Sequence, residues 1–384
     1  MKIAFIPSGV SGVQFYRVWQ PANALKKVGV ETAVLWYKHG MFLAHPWEDD
    51  INDQTSVISD VNKAYEWADM VVWMQLHNSK SLELFKSVKD YYRKPTFMDM
   101  DDDIFNIQSD NIASNVYYPG SPFSAVAAEQ MRLSDGLVVS TPHLAEVYKK
   151  YNKTIHVIPN TIDLNLWRVH PPRSRRSFKS KDIVIGWVGG GSHIADLKMI
   201  ERPLFQIFKE WPNVKFACLH GCPPEWRRLP QVVCPMEERN GKLLPEFRAV
   251  NEYPAWVTKH RFDIGIAPLV DNDFNRAKSN LRWLEYSIQG IPTVYSPVTH
   301  FAESIDPFVT GYPAETEDQW YHALKKLIID AAYRQSMGDS ALAEVLKTWT
   351  PKQQALKYKQ ILQELPGVGS KEDLEAHVSS AEEV

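Results

Sequence analysis

The sequence predicts an α/β protein of two Rossmann-like domains facing a cleft. Two observations predict it. Short apolar runs alternate with helical stretches along most of the chain, the pattern of parallel βαβ units. A strand–glycine–helix opening also occurs twice, at Lys2 and again at Asp182.

Lys2–Pro7 (KIAFIP) reads as a short buried strand, followed by the flexible turn Ser8-Gly9-Val10-Ser11-Gly12. A helix is expected from about Gln14 to Lys27, with Val18, Ala22 and Leu25 on one face. Gly29 ends it, and Glu31–Trp36 reads as the second strand. Met70–Met74, Pro95–Met98, Gly136–Ser140 and Ile155–Ile158 are further apolar runs bounded by turns or helices. Residues 171–181 carry no regular pattern and read as a linker or loop. Then the opening recurs: strand Asp182–Val188, glycine turn Gly189-Gly190-Gly191-Ser192, and a helix over Ile194–Lys209. Val214–Leu219, Phe262–Ala267 and Thr293–Ser296 supply more strands, and a helix runs from about Ser279 to Gln289 until Gly290 and Pro292 stop it. A last helix covers about Pro351 to Leu365, and the composition beyond Gly367 fits disorder.

Composition narrows the function classes. The chain has 384 residues, 44% hydrophobic and 23% charged, which excludes collagen-like, coiled-coil and wholly disordered proteins. No apolar run approaches the ~18–20 residues that cross a bilayer, and the apolar start is too short for a signal peptide. A cytoplasmic location is expected. Three cysteines cannot build a disulfide framework. The net charge of −3 falls mostly on residues 367–384, where Lys371 faces Glu372, Asp373, Glu375, Glu382 and Glu383, so the body is nearly neutral. A duplex-DNA binder usually shows a clear basic excess.

Four segments, in order, carry a resemblance to a known family: the glycine turn continued by Gln14-Phe15-Tyr16-Arg17; Val157-Ile158-Pro159-Asn160-Thr161-Ile162-Asp163; Ile185-Gly186-Trp187-Val188-Gly189-Gly190; and Ile266-Ala267-Pro268-Leu269 running to Lys278-Ser279-Asn280-Leu281-Arg282-Trp283-Leu284-Glu285 and on to Pro292. Together they resemble the GT-B glycosyltransferases, and within them the retaining family-4 enzymes (glycosyl transferases group 1). Two departures stand out. Thr161 replaces the usual glycine of the crossover motif, and Lys278, seven residues before Glu285, stands beside the place of the first Glu in the family's E-x7-E pattern.

The resemblance implies an acceptor domain over 1–165, completed by the returning helix 351–365, and a nucleotide-sugar donor domain over 166–350. The triple glycine with Ser192 suits a diphosphate, because free backbone N–H groups and a helix dipole favour an anion; the bland reading is a tight turn. Gly9 and Gly12 are less specific, and Arg17 is a candidate phosphate or acceptor contact. Lys278 would neutralise the departing diphosphate, while Ser279 and Asn280 open the helix beside it. Seven residues on, Glu285 shares its helix face and, by resemblance, binds the ribose hydroxyls. His193 is placed to donate to a phosphate or sugar oxygen, with Asp196 in the first helical turn. His77, after the Val71–Met74 run, matches a histidine that reaches the donor sugar in some relatives; a surface histidine is the alternative. Asp99-Met100-Asp101-Asp102-Asp103 suggests a metal-binding Asp-x-Asp when read alone. In a two-domain frame, Asp101 and Asp102 are expected on the acceptor side, with no metal, so that Asn at either position leaves donor affinity nearly unchanged. Cys218, His220, Cys222 and Cys234 have an uncommon spacing for zinc.

The expected activity is therefore transfer of a hexose or pentose from a UDP-, GDP- or ADP-sugar to a hydroxyl acceptor, retaining, with no other cofactor. The acceptor is a glycan, a lipid-linked glycan or another hydroxyl. One alternative is a phage-type DNA-base glycosyltransferase acting on hydroxymethylated bases, for which Arg173, Arg175, Arg176, Lys179 and Lys181 speak. The other is a non-catalytic nucleotide-sugar-binding protein, for which the missing first Glu speaks. Peripheral membrane contact is raised by Leu82, Phe85, Val88 and Tyr92 at helical spacing beside Lys80, Lys86, Lys89 and Arg93; a helix packed on the sheet is the bland reading. The oligomeric state is not encoded in these patterns.

Overall fold

A computed structural model describes residues 1–9, 12–38, 41–43, 61–167, 182–239, 242–245 and 252–365. The expected linker at 171–181 with its basic run, the turn residues Val10 and Ser11, and the acidic stretch from Gly367 lie outside the described residues.

Twelve strands form two six-stranded sheets, both wholly parallel. The first contains β1 (Lys2–Ile6), β2 (Glu31–Val34), β3 (Met70–Met74), β4 (Thr96–Met100), β5 (Gly136–Val139) and β6 (Ile155–Val157), in the order β2-β1-β3-β4-β5-β6. The second contains β7 (Ile183–Gly189), β8 (Val214–His220), β9 (Val232–Val233), β10 (Ile264–Ala267), β11 (Thr293–Tyr295) and β12 (Tyr312–Pro313), in the order β9-β8-β7-β10-β11-β12. The two-domain α/β expectation holds.

Each strand is a near-continuous apolar run because helices cover both faces. In β1, Ile3 and Phe5 face the helix at Gln20–Lys26, while Ala4 and Ile6 face the layer holding Tyr65, Phe85 and Val88. Glycines in the second sheet make room for aromatic rings. A Cβ on Gly186 would lie 2.0 Å from the Phe262 ring, and one on Gly265 would lie 2.5 Å from Tyr286. The helix Pro351–Glu364 crosses back to the first sheet, where Ala355, Tyr358, Ile361 and Leu362 join its core. Tyr358 meets Phe5 edge-on at 5.6 Å between centroids.

Several expected elements change at prolines. The helix expected over Gln14–Lys27 widens into a π-turn at Phe15–Trp19 before resuming over Gln20–Lys26. Pro21 has no N–H, and its ring would crowd the Arg17 carbonyl in a regular α-helix, so the wider turn relieves the clash. The helix expected over Ile194–Lys209 is two, Ile194–Lys198 and Glu201–Glu210, with Pro203 in the first turn of the second. The helix Ser79–Tyr92 buries Phe85 and Val88 against the first sheet, with Leu82 and Tyr92 packed on the same cluster. Lys86 and Lys89 pair with Glu129 and Asp135. That stripe is core, as in the packed-helix reading, so it no longer speaks for membrane contact. No described helix is long and apolar enough to cross a membrane.

Candidate active site

In a parallel sheet, ligands bind beyond the carboxyl ends of the strands, at the point where strand order reverses. In the second sheet that point lies between β7 and β10, so the turn after β7 occupies it. In the first it lies between β1 and β3, which places Gly9 and His77 there.

The turn after β7 packs tightly on one side and is open on the other. A Cβ on Gly189 would meet Trp187 at 2.5 Å and Arg282 Nη2 at 3.0 Å. Gly221 donates to Gly189 O at 2.7 Å, and a Cβ there would lie 2.5 Å from Gly190 O. Gly191 has open space around its Cβ position. Gly191–His193 form a single 3-10 turn leading into Ile194–Lys198. Asp196 accepts from His193 Nδ1 at 2.7 Å, while its other oxygen accepts from Val270 N and Asn275 Nδ2, each at 2.8 Å. Burial, aided by the nearby Arg282 and Lys278 charges, drops His193 to about 4. His193 is therefore neutral, with Nδ1–H committed and Nε2 left as an acceptor. This corrects its expected role as a donor to phosphate.

Lys278 reaches across the cleft. Its Nζ bonds Asp102 Oδ1 at 2.7 Å and sits 4.2 Å from the centroid of the Phe274 ring. Ser279 Oγ accepts from Asn160 Nδ2 at 2.9 Å, and Asn160 Nδ2 also donates to Asp101 Oδ1 at 3.0 Å. Thr141 donates to Ala277 O at 3.1 Å. Asn280 is fully buried, and both ends of its amide lack a hydrogen-bond partner. The acids that looked crowded in sequence diverge in space. Asp99 pairs with Arg17, Asp101 meets Asn160, Asp102 meets Lys278, and Asp103 accepts from Asn106 Nδ2 at 2.6 Å. Desolvation pushes the Asp101 carboxyl above its usual value against the pull of Arg17. Asp102 thus touches the second domain directly, so the cluster is not confined to contacts within the first.

Arg17 is also corrected. It is fully buried, with Nε and Nη2 on the two Asp99 oxygens at 2.8 Å and Nη1 on Ile158 O at 2.6 Å and Asn160 Oδ1 at 3.1 Å. It braces the crossover, fully buried with four of its five N–H groups committed to protein oxygens. Tyr358 adds a hydrogen bond to Asp99 at 3.1 Å. Thr161, where the motif it resembles has glycine, accepts from Gln20 Nε2 at 2.7 Å and donates to Gln354 Oε1 at 3.1 Å. The departure thereby ties the crossover to the returning helix. Gly9 lies 3.9 Å, at its Cβ position, from Gln14 Nε2, and Gly12 opens its helix with nothing nearby.

Glu285 is held between two tyrosines. Tyr16 from the first domain donates to Oε1 at 2.8 Å, and Tyr253 donates to Oε2 at 2.9 Å. Burial raises the carboxyl to about 7, although both hydroxyls favour its ionised form. Each oxygen accepts one tyrosine hydroxyl and keeps a second lone pair.

Three contributors went unassigned in the sequence. Arg282 stacks on Trp187 with its guanidinium carbon 3.9 Å from the ring centroid, and its Nε donates to Val188 O at 2.9 Å. It lies in the helix Leu281–Ser287, three residues before Glu285, and that spacing is the signal that would have found it; Lys278 precedes this helix, which starts later than the sequence suggests. Tyr253 had no local signal, and Tyr16 showed only as part of a motif. Among the described residues no group of three or more His, Cys, Asp or Glu is arranged to hold a metal ion.

No family model and no curated protein sequence matches the chain. Solved structures do match its fold. Anabaena HepE, in complex with UDP and glucose, is 14% identical with a TM-score of 0.60, covering 95% of this chain and 100% of that one. Sucrose-phosphate synthase from Thermosynechococcus elongatus is 13% identical with a TM-score of 0.59, over 94% and 98%. A glycosyltransferase from Rickettsia africae ESF-5 is 11% identical with a TM-score of 0.59, over 94% and 97%. The chain has the GT-B fold.

Proposed function

We propose that this protein transfers a sugar from a nucleotide-sugar donor, of which a UDP-sugar is the first to try, to a hydroxyl acceptor. The observation that carries this reading is the pairing of Arg282 and Lys278 at the glycine turn. Arg282 has no carboxylate partner among the described residues, and it is held over Gly189 by Trp187 and Val188 O. Two cations beside an open backbone turn suit the diphosphate of a nucleotide sugar. The solved structures of similar fold include one with UDP and glucose bound.

In this reading residues 166–350 hold the donor and residues 1–165, with helix 351–365, hold the acceptor. Lys278 and Arg282 stabilise charge as the anomeric carbon–phosphate oxygen bond breaks. The acceptor oxygen bonds to that carbon on the same face, and its proton passes to the departing phosphate, so configuration is retained. Neutral His193 accepts from a sugar hydroxyl, and His77 meets the sugar from the first domain. The two cations do the work a divalent ion would otherwise do, so transfer needs no added metal.

The test is a thermal-shift panel of UDP, GDP, ADP and their sugars, followed by mass spectrometry of products formed with simple glycan acceptors. A ligand that binds only the folded state raises its stability by mass action. One nucleotide series should stabilise the protein, and Lys278→Ala and Arg282→Ala should each abolish most of that shift for the diphosphate but not for the nucleoside. Transfer should survive EDTA. No stabilisation by any nucleotide would sink the reading. Binding without transfer or donor hydrolysis would leave a nucleotide-sugar-binding protein.

A further inference from the structure

A directional hydrogen-bond chain stands at the end of β3, on the first-domain wall of the cleft. Fully buried Gln130 holds the segment in place: its Oε1 accepts from Leu76 N at 2.8 Å and its Nε2 donates to Met74 O at 3.1 Å. Gln75 and His77 flank buried Leu76. Gln75 Nε2 donates to the Tyr117 hydroxyl at 3.1 Å, and that hydroxyl lies 3.2 Å from His77 Nδ1. The Phe123 ring sits beside both, with centroids 6.4 Å from His77 and 6.1 Å from Tyr117.

An amide N–H donates and cannot accept, so the Tyr117 oxygen accepts from Gln75. The phenol keeps its own proton, and among the hydrogen bonds of the described residues His77 Nδ1 is the one acceptor within its reach. Using that proton puts the lone pair on Nδ1 and the ring proton on Nε2. Burial, with the Asp102 charge behind it, raises Tyr117 above its usual value, so the phenol keeps this proton at neutral pH. Burial also lowers His77, which keeps the ring uncharged.

We infer that Gln75 and Tyr117 are positioning residues that hold His77 in the Nε2–H tautomer, so that it donates a hydrogen bond to an oxygen of the donor sugar and takes no proton from the acceptor. The sugar as the group met by Nε2–H rests on the proposed transferase reading; the tautomer does not.

The test uses the full chain labelled with ¹⁵N-histidine, the His77 signals being identified by their loss in His77→Gln. Long-range proton–nitrogen correlation at pH 7.5 should show an unprotonated Nδ1 and a protonated Nε2 for His77. In Tyr117→Phe the preference should collapse to a mixture of tautomers. A protonated Nδ1 in the wild type, or an unchanged tautomer in Tyr117→Phe, would overturn the inference. A kinetic arm checks the consequence. The side-chain amide introduced by His77→Gln would present an N–H near the Nε2 position. His77→Gln should therefore retain more kcat/KM than His77→Ala, by up to about tenfold, the upper range for one neutral hydrogen bond. Equal inactivity of the two variants would point to a base and overturn the second half of the inference. If the wild type transfers no sugar, the spectra still decide the tautomer, so the two failures are distinct.

Discussion

Replacing Glu285 with Gln should change how stability depends on pH. The Glu285 carboxyl is 8% exposed and clamped by Tyr16 and Tyr253, and burial raises it from 4.5 to about 7. Between those values the folded protein holds a proton that the unfolded chain has released, so stability falls as pH rises. This contribution is fully present below pH 4.5 and is lost as pH rises through 7. At about 1.4 kcal/mol per tenfold change in proton activity, the whole span is worth about 3 kcal/mol. Gln carries no charge at any pH, so Glu285→Gln lacks the fall. Relative to wild type, the variant should gain about 2–3 kcal/mol of unfolding free energy between pH 5 and pH 8. His193 works in the opposite direction: lowered to about 4, it contributes stability above pH 6.5 that is lost as pH falls toward 4. It is present in both proteins and cancels in the difference. Urea unfolding followed by tryptophan fluorescence, at half-unit steps of pH, measures both curves. A difference that stays constant from pH 5 to pH 8 would refute the reasoning, because Glu285 would then titrate like an exposed carboxylate.

Two further substitutions test the framework around the site. Arg17→Met leaves Asp99 buried without its cation and should cost about 3–5 kcal/mol of stability, read as a fall in the urea midpoint; a loss under about 1 kcal/mol would mean that Asp99 finds another partner. Asp102→Asn frees Lys278 from its carboxylate and should tighten UDP binding severalfold in calorimetry while leaving uridine unchanged; weaker UDP binding would mean that Asp102 helps hold the nucleotide.

Much of the fold is legible because its signals are local. Apolar runs such as Met70–Met74 coincide with strands residue for residue, and the repeated strand–glycine–helix opening marks the strand beside each sheet's reversal of order. The glycine turn singled out in the sequence follows β7, and the strand order of the sheet reverses beside that strand. The errors arise where a local rule competes with another. Pro21 re-phases a helix whose apolar spacing reads as regular, and Pro203 divides one that reads as continuous. Leu82, Phe85, Val88 and Tyr92 form a stripe at helical spacing, but spacing is silent on whether sheet or lipid covers it.

The sequence by itself determined the two α/β units, the glycine turn and the helix that carries Glu285, because each rests on periodicity or on neighbours within a few residues. Only the tertiary structure decided what those residues do. Arg17 became a brace because Asp99 lies 82 residues away, Lys278 found Asp102 at 176, and Glu285 found Tyr16 at 269. A side chain's role depends on its charge, its hydration and the partner it meets, and in a parallel sheet those partners arrive through crossover connections that no local pattern records.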